Sequence, residues 1–131
     1  MAENENTQNN ENSQNNDESI LISIKKLLGL ASENDSFDTD VIIHINSALM
    51  VLNQLGVGPE EGFSIKSSSE VWSDFIEDTE YLDAVKTYIY LKVKIVFDPP
   101  QHGPTEDALK ESIKEYEWRL NVKAENAEKG V

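Results

Sequence analysis

Apolar residues recur at helical spacing along most of this chain, separated by short polar or Gly/Pro-containing stretches. From about Ser19 to Leu30, Ile20, Ile24, Leu27 and Leu28 fall on one face, with Lys25 and Lys26 opposite and Gly29 near the end. Leu21 and Ile22 widen the apolar arc beyond what one neighbour can cover. A second helix is predicted from Asp38, placed as an N-cap with Phe37 and Ile42 as a hydrophobic staple, and Gly56 is suited to end it. Its stripe is Val41, Ile45, Ala48, Leu52 and Leu55, flanked by Ile42 and Leu49, while Ile43, Met50 and Val51 lie off that stripe.

The next stretch, Gly56 to Ser69, holds three Gly and one Pro, and Phe63 and Ile65 alternate with polar residues. A short extended segment is expected near residues 62–67, pairing either with a neighbouring protein or with a second short segment of this chain. Ser69 is placed to cap a short helix holding Val71, Trp72, Phe75 and Ile76, and Asp78 to cap a longer one from Thr79 to Phe97. That helix carries Leu82, Val85, Ile89, Val93 and Val96 on one stripe and must stop before Pro99 and Pro100. Thr105 is the expected cap of a last helix with Leu109, Ile113, Tyr116 and Leu120 inward, ending near Asn121. The fold class is therefore all-α: a small bundle of about four to five helices.

Composition divides the chain further. Residues 1–18 hold seven Asn, five acidic side chains and no Lys or Arg, so a disordered acidic arm is expected there. Residues 19–121 form the helical domain, and 122–131 are expected to fray because they are small and charged. The net charge of −14, from 25 acidic and 11 basic side chains, has the wrong sign for gripping a phosphate backbone. The surplus suits either plain solubility or a wall past which DNA slides without sticking. No Cys is present, which removes disulfides, thiol catalysis and cysteine-bound zinc together. No apolar run approaches the roughly 20 residues of a membrane span, and the first 17 residues lack the pattern of a signal peptide.

Candidate chemistry is sparse. His44 falls on the polar side of the second helix and His102 in a Pro/Gly loop, neither with a spaced metal-binding partner. The acidic pairs Glu60/Glu61 and Asp38/Asp40 sit at a loop and a helix start, where solvation and capping account for them. No phosphate-cradling loop or nucleophile elbow occurs. Trp72, Phe75, Tyr81, Tyr88, Tyr90 and Trp118 are interleaved with acids rather than with Lys or Arg, which fits packing better than base stacking. Neither a catalytic residue nor a cofactor or metal site is expected. Lys92 falls near the middle of the fourth helix's apolar stripe, where it must snorkel, pair with a carboxylate of its own subunit, or form a salt bridge across a subunit interface. The candidate interface residues are Ile43, Met50, Val51, Phe63, Ile65 and Lys92.

Several segments together resemble the phage head-tail connector family of DNA-packaging or head-completion adaptors. They are Ile-Lys-Lys-Leu-Leu-Gly at 24–29, His-Ile-Asn-Ser at 44–47, Leu-Asn-Gln-Leu-Gly-Val-Gly at 52–58, Val-Trp-Ser-Asp-Phe at 71–75, Leu-Lys-Val-Lys-Ile-Val-Phe-Asp-Pro-Pro at 91–100, and Glu-Trp-Arg-Leu-Asn at 117–121. The resemblance covers about residues 19–121, and none of these segments encodes chemistry by itself. It implies a non-enzymatic structural subunit, made in the host cytoplasm and placed at the head-tail interface of the virion. Its implied partners are the portal protein, neighbouring connector or tail-completion proteins, and copies of itself in a twelve-subunit ring through which DNA passes without sequence-specific binding. The Asn-rich arm departs from the compact members of that family. The competing reading is an acidic phage regulatory or inhibitory protein acting on a host partner, which the charge alone would equally suit.

Overall fold

Local capping chemistry decides where several of the helices begin. The structure, a computed structural model, describes residues 17–128, so the arm expected over 1–18 lies outside the described residues except for Asp17 and Glu18. Among the described residues these helices follow one another from residue 20: α1 (Ile20–Leu27), α2 (Asp38–Gln54), α3 (Trp72–Phe75), α4 (Thr79–Phe97) and α5 (Gly103–Glu128). Ser19 Oγ accepts from the Ile22 amide at 3.2 Å to start α1, and the Asp78 carboxylate accepts from the Glu80 amide at 2.9 Å to start α4. Gly29, with φ +82°, follows the end of α1, where a residue without Cβ adopts the left-handed conformation at no steric cost. The bounds of α4 coincide with the expected ones because a cap and a Pro-Pro pair delimit it.

Three starts differ from expectation. Phe37, not Asp38, holds the N-cap position of α2 and has no side-chain acceptor to cap it, while the Asp38 carboxylate lies 2.8 Å from the Lys25 ammonium. Ser69 does not cap α3. That helix begins at Trp72, with the Asp74 carboxylate accepting from the Val71 amide at 3.0 Å, while the Ser69 hydroxyl pairs with Ser67 at 2.7 Å. α5 begins at Gly103, two residues before the expected Thr105, and Thr105 Oγ1 lies 3.2 Å from His102 Nδ1.

The far end of α5 is a larger correction: the helix does not fray at 122 but continues to Glu128. Asn121 Nδ2 donates to the Leu55 carbonyl at 3.3 Å, and Ala124 packs against the core over Gly56. A Cβ on Gly56 would lie only 3.2 Å from that of Ala124, so two small residues let the helix pass close above the turn.

α4 is the centre of the bundle, packed on α2 along one side and on α5 along the other, with α1 lying on both α2 and α4. Most of the core stripes of α2 and α4 read from the sequence is buried, including Val41, Ile45, Leu52, Val85, Ile89 and Val93, but Leu55 is only half-buried and Val96, expected on the α4 stripe, is exposed at the last turn of the helix. Removing each such side chain from water contributes roughly 1.5–3 kcal/mol before the entropy of ordering is set against it. Trp72 is fully buried beside them, and its indole N–H donates to Ser23 Oγ at 3.0 Å.

Among the described residues there is no strand. One isolated antiparallel bridge joins Ser19 to Val71, flanked by bonds from the Ile20 amide to the Glu70 carbonyl (3.0 Å) and from the Trp72 amide to the Glu18 carbonyl (3.2 Å). The segment expected to be extended near 62–67 finds its partner in a side chain of its own subunit. The Asn46 carboxamide accepts from the Ile65 amide at 2.8 Å and donates to the Ile65 carbonyl at 3.0 Å, so one residue of α2 substitutes for a strand edge. Ile65 is consequently buried, 1 % exposed.

Candidate interaction surface

Side chains that could do chemistry are dispersed. His44 is half-buried on α2 and His102 exposed ahead of α5, and no group of three or more His, Asp or Glu among the described residues could hold a metal ion. The clefts are shallow and open. One of about 390 Å³ runs between α4 and α5, bordered by Glu80, Tyr81, Thr87, Arg119 and Lys123. Another of about 600 Å³ lies where the end of α2 meets the end of α5, with Asn53, Glu60, Asn121 and Glu125 around it. Neither brings a nucleophile to a base, which acid-base or covalent catalysis would require.

The buried ionic groups serve the fold. Lys25, expected on the solvent face of α1, is 1 % exposed. Its ammonium donates to the carbonyls of Ser32 (3.1 Å) and Asn34 (2.7 Å) and lies 2.8 Å from Asp38 Oδ1. Three oxygens therefore replace its water, and the α1–α2 loop is folded around the charge. Spacing could not reveal this, because the oxygens come from loop backbone.

Lys92 takes the intrasubunit course: its ammonium stands 4.0 Å from Glu117 Oε2 on α5, at about one-third exposure. The same oxygen accepts a 2.6 Å hydrogen bond from the Tyr88 hydroxyl. Burial pushes the Tyr88 phenol well above its usual range, and the bond to Glu117 and that residue's charge push it further.

The other candidates divide cleanly. Ile43 and Met50 are exposed, 55 % and 59 %, two turns apart on the outer side of α2. Val51 is half-buried at the edge of the core. Phe63 is half-buried with its ring 5.3 Å from that of Phe75. Ile65 is corrected: its apolar surface is used inside the domain, and none is left to offer a partner. Trp118 was placed among packing aromatics, yet it is 66 % exposed, the most open large apolar side chain described. Helix phase signals this, since Trp118 lies about 180° around α5 from the inward Leu109 and Leu120. A second apolar spot was also missed: Phe37 meets Phe97 edge to face at 5.5 Å, with Phe37 and Val96 both exposed.

Among the described residues the clefts are open, and large apolar side chains such as Ile43, Met50 and Trp118 are turned outward. Residues 20–127 match the family described as phage connector protein. The chain belongs to this family. The matched range spans all five helices nearly to the end of α5. A comparison with curated proteins returns no significant match, and one with solved structures returns none. Family membership gives this phage connector a structural role, a place in the virion and association with other head or tail proteins. The family is not known for catalysis. No helix among the described residues is long and apolar enough to cross a membrane.

Proposed function

We propose that this connector is a head-tail adaptor whose copies form a twelve-subunit ring, docked on the portal and linking the DNA-filled capsid to the tail. The observation that carries the reading is the family match across residues 20–127. Two physical features support it. Ile43 and Met50, with Val51 at their edge, form an apolar strip that water does not favour, and a ring needs such strips on every copy. The charge of −14 suits a channel that DNA traverses without adhering. The outward parts of Phe63 and Lys92 would border contacts with the portal or with a further connector protein.

The test is electron microscopy of purified particles together with pull-down on the portal protein. The chain is expected at the capsid-tail junction, and Met50→Asp is expected to leave helix content nearly unchanged while weakening association. A chain absent from mature particles, recovered instead in the lysate on a basic host protein, would overturn the reading in favour of an acidic regulatory module.

A further inference from the structure

The segment between α2 and α3 is fastened at three places. At its start, Asn53 Nδ2 donates to the carbonyls of Pro59 (3.0 Å) and Glu60 (3.3 Å), and the Gly62 amide closes a turn onto the Pro59 carbonyl at 3.0 Å, with φ of Gly62 at +90°. In its middle, Asn46 takes both backbone groups of Ile65. At its end, the Glu70 carboxylate accepts from the amides of Lys66 (2.8 Å) and Ser67 (3.2 Å). Asn46 and Asn53 are seven positions apart, two turns of α2, so one row of that helix grips the segment twice. Residues 62–66 are thereby ordered before any partner arrives.

Between these fastenings the side chains alternate as they do in a strand. Phe63 is half-buried and Ile65 buried, while Ser64 and Lys66 are exposed. In such a stretch the amide and carbonyl of one residue point to the same side, and those of its neighbour to the other. Because the pair on Ile65 is turned toward Asn46, the pair on Ser64 faces away from α2. Among the described residues, nothing bonds to the Ser64 amide or carbonyl. The nearest amides two residues to either side, Gly62 and Lys66, are already taken by Pro59 and Glu70, so the opening is one residue pair wide.

The surroundings of this edge state what fits it. Phe63, one residue along, keeps part of its surface outside the core, and Glu60, Glu61 and Glu70 outnumber Lys66 among the charged residues from 60 to 70. An open strand edge is a template for another extended chain, and its acidic frame favours one that carries cations.

We propose that the outer edge of Phe63–Lys66 receives an extended segment of another head or tail protein, in which a Lys or Arg stands beside an apolar residue, and that this segment exchanges backbone hydrogen bonds with Ser64. Phe63 then receives the apolar side chain, and Glu60 and Glu61 the cation. An edge already ordered loses less entropy on docking than a loop that must first be ordered. The proposal rests on the adaptor reading for the source of the segment, and adds to it the place on the subunit where that protein docks.

Full-length parent, Ser64→Pro and Ser64→Ala chains would be supplied in turn to a phage deleted for this gene, and the chain content of purified particles compared. Ser64→Pro, which removes the amide, is expected to lower that content at least tenfold, and Ser64→Ala to leave it within twofold, both with the circular dichroism of the parent. Glu60→Gln with Glu61→Gln is expected to lower it two- to fivefold. Hydrogen exchange at the Ser64 amide needs no variant: it is expected to be fast in the purified parent chain and at least tenfold slower in particles. Should Ser64→Pro alter the circular dichroism, the exchange measurement alone decides.

Equal incorporation of a folded Ser64→Pro, or equal exchange in both settings, overturns the docking, and an unchanged content for the double Gln variant overturns the basic character of the segment. Slowing that appears in the purified chain as its concentration rises assigns the edge to a second copy and overturns the proposal too. If the parent chain is present at the capsid-tail junction when the docking fails, the adaptor reading survives; if it is absent, both fall.

Discussion

At the corner where α1 meets α2 and α3, two polar groups, the Lys25 ammonium and the indole N–H of Trp72, are both withdrawn from water and given protein partners. Along α5 the reverse holds. Its inward side reaches the core mainly through Ile113, Leu120 and Ala124, while most of its surface carries charged side chains in contact with solvent. The corner depends on contacts that leave the single helix, from Lys25 into the following loop and from Trp72 to Ser23 49 positions away, whereas α5 is supported in large part by pairs one turn apart, such as Glu115–Arg119 at 2.6 Å. A substitution of similar chemistry should therefore cost much more at the corner than on the outer face of α5. The part held loosely to its own core is also the part that leaves Trp118 exposed.

The strongest break is Trp72→Ala, which empties a fully buried site and removes the donor to Ser23 Oγ, whose hydroxyl keeps its 2.7 Å bond to the Ser19 carbonyl. A loss of about 3–5 kcal/mol is expected, comparable with the whole stability of a marginal domain, so the thermal transition should broaden or vanish in calorimetry. Next comes Asp38→Ala, which leaves the Lys25 ammonium with only two carbonyls. About 2–4 kcal/mol is expected, at the lower end of the range for a broken buried pair because Asp38 is partly exposed. Urea unfolding checks it, and Lys25→Met in the same chain should recover much of the loss.

Tyr88→Phe probes the seam between the two regions, since its hydroxyl on α4 holds Glu117 on α5. About 1–2 kcal/mol is expected near neutral pH. The phenol is raised on folding above its ordinary value of 10.0, so its contribution is fully present below that value. It is lost progressively as pH rises beyond it, because the unfolded chain releases the proton first. Alkaline unfolding should show this slope in the parent chain and a shallower one in Tyr88→Phe. The smallest effect is expected from Glu115→Ala, which removes an exposed pair and should cost about 0.3–0.5 kcal/mol, a shift of a degree or two in Tm that added salt reduces further. A Glu115→Ala loss as large as that of Asp38→Ala would erase the contrast between the regions.

Much of the scaffold was legible in the chain itself. α4 was readable end to end because an Asp cap and a Pro-Pro stop are local signals, and the stripes of α2 and α4 were readable because a 3.6-residue period needs no knowledge of the partner. The start of α2 was misread because Asp38 had two uses, capping its own helix or neutralising Lys25, and only the arrival of α1 decides between them. Ile65 was misread because alternation marks an extended segment without saying whose hydrogen bonds complete it, and Asn46 is 19 positions away. The end of α5 was misread because Ala124 has little apolar surface, and its value lies in fitting over Gly56. Of the exposed apolar residues, Ile43 and Met50 followed from helix phase, while Trp118 was hidden among aromatics that do pack inward.

By itself, then, the sequence determined the helical period, the Asp78 cap, the acidic balance and the lack of recognisable catalytic spacing, since each is a property of neighbours along the chain. Only the tertiary structure decided which charge is buried, which apolar residues are spent on the core and which remain outward. Burial and pairing are set by the surfaces that meet, and those surfaces are brought together from positions the linear order keeps apart.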